Sequence, residues 1–103
     1  MEKQILTGNE FLDQLRFLIL KYINNRPIQV FLYGSRALNT AGKSSDVDIA
    51  LFSKEKLPLD FIANLRELIE ESTIPYQVDL IDLNEVDDNF RKVVLKEAIL
   101  WND

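Results

Sequence analysis

Ile28-Gln29-Val30-Phe31-Leu32-Tyr33 is an almost unbroken apolar run, bounded by Pro27 before it and Gly34 after it. Six residues are too few for a buried helix. The run is rich in branched and aromatic side chains, so it predicts a strand buried on both faces. Such a strand belongs in the middle of a layered fold, with helices or sheet on either side.

The rest of the chain supplies those layers. Thr7-Gly8-Asn9-Glu10 reads as a capping box, a Thr cap with Glu three residues on. Phe11, Leu12, Leu15, Leu18, Ile19, Tyr22 and Ile23 then recur at helical spacing, which predicts a helix to about Asn25, stopped by Pro27. Gly34 to Ser45 reads as a turn, a short helix and a polar loop. Asp46 to Phe52 alternates, with Val47, Ile49 and Leu51 on one side of a second strand. Pro58 opens a helix with a Phe61, Ile62, Leu65, Leu68, Ile69 stripe. Pro75 ends that region, and Tyr76 to Ile81 predicts a third strand. A last helix starts near Asn84, with Glu85, Asp87 and Asp88 early and Arg91, Lys92 and Lys96 later, as the helix dipole favours. Ala98 to Trp101 either finishes that helix or forms a short final strand. The order α-β-α-β-α-β-α describes a small α/β sandwich, and its 103 residues read as a single domain.

Composition narrows the chemistry. With no histidine and no cysteine, a disulfide framework, thiolate or imidazole metal sites and His-based triads are excluded. Carboxylates, hydroxyls, amides and a few cations remain. The formal charge of −5 and the scattered Lys and Arg disfavour tight binding to nucleic acid. No apolar run is long enough to cross a bilayer, and the first residues do not resemble a secretory signal, so a cytoplasmic protein is expected.

One constellation stands out. Gly34-Ser35 leaves the buried strand, and ten residues then separate Ser35 from Asp46-Val47-Asp48 at the head of the next. Period-2 geometry puts Asp46 and Asp48 on one face, where two like charges repel. A divalent cation is the simplest compensation, and an all-oxygen donor set points to Mg²⁺ or Mn²⁺. The strand–Gly-Ser–helix junction aims backbone N–H groups and a hydroxyl beyond the strand end, a ready place for phosphate oxygens. Gly34 would let a triphosphate approach the backbone without a Cβ clash. A third carboxylate is needed for a second metal or for a base. Asp79, inside Val78-Asp79-Leu80-Ile81, is the candidate; an edge-strand aspartate facing water would read the same way. Asp82 has the opposite parity and reads as a turn or cap residue.

These residues resemble a known family. Gly34-Ser35, ten residues, then Asp46-Val47-Asp48 is similar to the signature of the DNA polymerase beta-like nucleotidyltransferases. Phe31 to Ala37 and Ser45 to Leu51 look like its minimal (MNT) branch. The resemblance continues more weakly through Val78 to Asp82 and Leu95 to Trp101. It implies a nucleotidyltransferase fold, a small mixed β-sheet with flanking helices. It implies Asp46, Asp48 and Asp79 as catalytic Mg²⁺ ligands, and Gly34, Ser35 and Arg36 as nucleotide-binding residues with ATP as substrate. Members with only this core are commonly antitoxins of HEPN toxins, which implies AMP transfer to a tyrosine of that partner. Many relatives read Gly-Ser-Arg-Ala-Arg-Gly where Leu38-Asn39 here follow Arg36-Ala37, and a missing arginine there bears on nucleotide affinity or choice.

Plainer readings stand beside these. Arg36 either steadies phosphates or solvates a helix face, and Lys43 reads as solvated. Phe11, Phe17, Phe31, Phe61 and Phe90 read as core, whereas Trp101 fits an interface. With 103 residues there is little room for a substrate domain, which points to an acceptor brought by another protein. A binding-only antitoxin and a small-molecule nucleotidyltransferase acting on aminoglycoside-like substrates are the alternatives.

Overall fold

The structure, a computed structural model, describes residues 10–34 and 46–102. Helix α1 spans Glu10–Ile23, strand β1 Ile28–Tyr33, strand β2 Val47–Ser53, helix α2 Phe61–Glu70, strand β3 Val78–Asp82, helix α3 Asp88–Glu97 and strand β4 Ile99–Leu100. The expected capping box at Thr7 and the short helix within Gly34 to Ser45 lie outside the described residues. Of the two readings of Ala98 to Trp101, the short strand is the one the chain adopts.

The four strands form one mixed sheet in the order β3-β2-β1-β4. β1 runs antiparallel to β2 and β4, while β2 and β3 are parallel. The long connection through α2 supplies the crossover that parallel neighbours need. β1 is buried on both faces, as its composition requires. Val30 and Leu32 join the cluster under α1 and α2, and Phe31 joins the cluster on the opposite face with Ala50, Leu83 and Val94. β2 behaves alike, with Val47, Ile49 and Leu51 turned to α1 and α2.

Each helix starts, stops and docks for local reasons. α1 buries Leu12, Leu15, Ile19 and Ile23, one face at three- and four-residue steps. It ends earlier than Pro27 would force, because Asn24 takes a left-handed φ of 55°, a conformation asparagine tolerates just past a helix. α2 begins three residues after Pro58 and buries Phe61, Leu65 and Ile69, whereas Leu68 is exposed at the rim of the stripe. The Tyr22 hydroxyl donates to the Phe61 carbonyl at 2.9 Å and ties α1 to α2. α3 starts later than expected, at Asp88, where the Asp87 carboxylate accepts the Phe90 N–H at 2.8 Å as a true N-cap.

Two expectations about large side chains need correction. Phe31 and Phe61 are core, but Phe17 is 69% exposed, and Phe11 and Phe90 are exposed as well. Phe17 sits two residues from both Leu15 and Ile19, and residues two apart point to different sides of a helix. Trp101 is the reverse case. It is 1% exposed in the main core, not an interface residue. Its N–H donates to the Val30 carbonyl at 2.7 Å, and its carbonyl accepts from Arg16 Nε at 2.8 Å. Asn102 continues the pattern by accepting the Val30 N–H and donating to the Ile28 carbonyl, so a side-chain amide extends the ladder on β1. Among the described residues, no helix is long and apolar enough to cross a membrane.

Trp101→Ala should cost about 3–5 kcal/mol, the usual range for emptying a buried tryptophan site. Urea unfolding would show this as a lower midpoint at unchanged slope, and a midpoint equal to the parent's would remove Trp101 from the core.

Candidate active site

The three candidate carboxylates lie towards one end of the sheet. Asp46 immediately precedes β2 and is exposed, Asp48 is half-buried in β2, and Asp79 is exposed in β3. The antiparallel register sets Tyr33 opposite Asp48, and the parallel register sets Asp48 beside Asp79. Tyr33, Asp48 and Asp79 thus form a row across three adjacent strands, with roughly 4.8 Å between neighbouring strands. The apolar neighbours Val47, Ile49 and Leu80 point through the sheet into the α1–α2 core.

Electrostatics follow from that row. Burial first, then the charges of Asp79 and Asp46, raise the Asp48 carboxyl above its ordinary range. Burial, followed by Asp48 and Asp79, pushes the Tyr33 phenol up to about 12. At neutral pH Tyr33 therefore keeps its proton and can serve as a hydrogen-bond donor. Sequence reasoning passed over it, because its place in the row depends on a register no local pattern reveals.

Gly34 has a structural reason of its own. Its φ is +76°, and a Cβ added there would run into the Asp48 carboxylate. Only glycine satisfies both constraints. The reading that Gly34 leaves its backbone open to phosphate is thus joined by a second one, room for a carboxylate. Ser35 and Arg36, the other two candidate phosphate contacts, lie outside the described residues, as does Lys43. Asp82 is the last residue of β3 rather than a turn residue, and its Oδ1 accepts the Asn84 N–H at 2.9 Å, which caps the turn that follows.

The donor set suits a hard cation. Burial and then repulsion raise Asp48, and a cation would relieve the repulsion; with neither histidine nor cysteine in the chain, carboxylate, hydroxyl and carbonyl oxygens are the ligands on offer. Among the described residues, no three acidic side chains close on one point as a finished cage. Mg²⁺ commonly takes one or two carboxylates and completes its shell with water and substrate phosphates, so an open row is a workable arrangement.

Comparison with known proteins agrees with the fold. The family described as "Polymerase beta, Nucleotidyltransferase" matches residues 18–102. The chain belongs to this nucleotidyltransferase family. A Haemophilus influenzae protein named "Probable protein adenylyltransferase MntA" is 42% identical over 73 residues, 69% of this chain and 62% of that protein. The match therefore spans less than two thirds of that relative. Among solved structures, a toxin–antitoxin with AMP-PNP superposes at a TM-score of 0.68 with 23% identity, covering 84% of this chain and 72% of that one. A tri-AMPylated Shewanella oneidensis HEPN toxin in complex with MNT antitoxin gives a TM-score of 0.62 at 20% identity, over 87% and 71% of the two chains. At these identities the two structures establish shared fold.

Two measurements test this geometry. Gly34→Ala should destabilise the parent by about 1–3 kcal/mol, the scale of a strained backbone position. The cost should shrink in an Asp48→Ala background, where the collision is gone and only the φ strain is left. Equal costs in both backgrounds would separate Gly34 from Asp48. The second concerns charge. Folding raises the Asp48 carboxyl above its unfolded value, so its ionisation opposes folding. That penalty is absent below the ordinary carboxylate range and grows as pH rises through the raised value. Without divalent cation, Asp48→Asn should therefore melt above the parent at pH 7. The gain should vanish below about pH 3.9. A lower melting temperature at pH 7 would contradict the repulsion.

Proposed function

We propose that this chain is the antitoxin of a HEPN–MNT pair, transferring AMP from ATP to a hydroxyl of its HEPN partner. The observation that carries the reading is the row of Asp48 and Asp79, with Asp46 beside it, at the strand end that Gly34 closes. Family membership supports nucleotidyl transfer as the reaction class. The protein adenylyltransferase name of the 42%-identical relative supports a protein acceptor. A purely binding antitoxin would gain nothing from carboxylates that repel one another.

In this reading Gly34, Ser35 and Arg36 hold the β and γ phosphates. Asp46, Asp48 and Asp79 would hold Mg²⁺, with Mn²⁺ a substitute, and the bound ion would neutralise charge on the phosphate oxygens and lower the pKa of the acceptor hydroxyl. Asp79, on the open side of the row, takes the proton of the acceptor hydroxyl. The acceptor oxygen forms a bond to the α-phosphorus while the bond to the bridging oxygen breaks, and pyrophosphate leaves with that electron pair. Tyr33, protonated at neutral pH, offers an O–H to Asp48 or to a phosphate oxygen. The chain contributes position and charge stabilisation rather than covalent chemistry. Such a reaction draws on the ATP of the cytoplasm.

The test incubates the chain, Mg²⁺ and a candidate HEPN partner, the product of a neighbouring gene where one encodes it, with ATP labelled at the α-phosphate. Label should appear on the partner, and Asp46→Asn should lower the rate by at least about a hundredfold, the scale for losing a principal electrostatic contact. Undiminished transfer by Asp46→Asn would overturn the residue assignment. A partner silenced without label would make the chain a binding antitoxin.

A further inference from the structure

A hydroxyl drawn out of water normally finds a partner in the fold, because losing its hydrogen bond without a replacement costs free energy. Tyr22 obeys that rule, donating to the Phe61 carbonyl at 2.9 Å. Tyr33 does not. It is half-buried, and its ring packs against the cluster of Phe31, Ala50, Leu83 and Val94. Among the described residues, nothing accepts its hydroxyl proton. A phenylalanine would pack there equally well, so packing accounts for the ring and leaves the oxygen unexplained.

The surroundings supply a use for it. Tyr33 is the last residue of β1, directly before the Gly34 turn and opposite Asp48. Cross-strand partners face the same way, so the phenol shares the face of the carboxylates and not that of the α1–α2 core. Asp79 lies one strand beyond Asp48, roughly 10 Å from Tyr33 at about 4.8 Å per strand. In-line displacement puts the incoming hydroxyl and the departing pyrophosphate on opposite sides of the α-phosphorus. With Asp79 taking the proton of the incoming hydroxyl, Tyr33 stands on the side of the leaving group.

Two acceptors compete for its proton, Asp48 and the polyphosphate. Asp48 Oδ2 lies against the Gly34 backbone, and in the AMP-transfer reading that carboxylate is committed to the cation. The β and γ phosphates bring more anionic oxygens than one cation covers. A lysine or arginine at this position would pair with Asp48 and compete with the cation. A phenol donates a hydrogen bond without adding charge.

We propose that Tyr33 is a substrate contact, its hydroxyl donating to an oxygen of the β–γ phosphate unit of ATP and holding the pyrophosphate as it departs. This inference rests on the AMP-transfer reading for its substrate and deepens it by selecting phosphate over Asp48 as the acceptor.

The test compares Tyr33→Phe, which keeps the ring and removes only the oxygen, with Tyr22→Phe, which removes a hydroxyl that the fold uses. Calorimetry should show affinity for Mg²⁺–ATP and for Mg²⁺–pyrophosphate both reduced about tenfold or more in Tyr33→Phe, the scale of one hydrogen bond to a charged group. Its affinity for Mn²⁺ without nucleotide should stay within about twofold of the parent's, and its ligand-free melting temperature should not fall. Tyr22→Phe should do the reverse, melting lower at parental Mg²⁺–ATP affinity. With a candidate HEPN partner present, kcat/KM for ATP should fall in Tyr33→Phe by the factor lost in binding. Parental affinity for Mg²⁺–ATP and Mg²⁺–pyrophosphate in Tyr33→Phe would overturn the proposal. So would an equal loss of Mn²⁺ affinity, which would make Tyr33 a prop for Asp48, or a lower melting temperature, which would return the hydroxyl to the fold. Tyr33-dependent binding of Mg²⁺–ATP without label on a partner would keep the contact and refute AMP transfer; no binding of Mg²⁺–ATP by the parent would refute both.

Discussion

The pairing of β1 with β2 is the constraint on which everything else depends. A slip of one residue would turn Asp48 into the core and Ile49 out of it, since side chains alternate across a strand. The hydrophobic pattern forbids that slip. Val47, Ile49 and Leu51 are fully buried against α1 and α2, and inverting them would cost several kcal/mol of burial. The force that builds the core thus also holds Asp48 on the other face, opposite Tyr33 and below Gly34.

The other edge of β1 is held from the far end of the sequence. Trp101 fills the core while its backbone bonds to Val30 and Arg16, and the Asn102 amide pairs with Val30 and Ile28. β1 is therefore gripped along both edges. The strand so held ends at Gly34, where the chain turns with positive φ. Stability and site geometry share one element, so loosening the C-terminal tether would be felt at the carboxylate row.

At the row the local rules of folding are broken. Asp is disfavoured in strands, like charges lie on neighbouring strands, and a half-buried phenol stands beside them. Elsewhere each choice agrees with the fold: Asp87 caps α3, Arg91 pairs with Asp88 at 2.8 Å, and Asn24 stops α1. A concentration of such conflicts in one row, among the described residues, is the mark of a site shaped for a ligand rather than for stability. Cation and polyphosphate together would resolve it, each supplying the charge the other needs.

Much of this was legible in the chain itself. The central strand Ile28 to Tyr33, the alternation from Val47 to Leu51 and the capping role of Asp82 all follow from periodicity over a few residues, which local geometry dictates. The same local reading failed for Phe17 and Trp101, because a helix's dry face and a strand's depth depend on which other elements arrive. Asp79 beside Asp48, Tyr33 in the same row and the carboxylate over Gly34 were decided only by tertiary structure. These neighbours come from segments up to about thirty residues apart on separate strands, and their register is set by the packing of the whole sheet. Sequence periodicity says which way a side chain points, and only the assembled core decides what it points at.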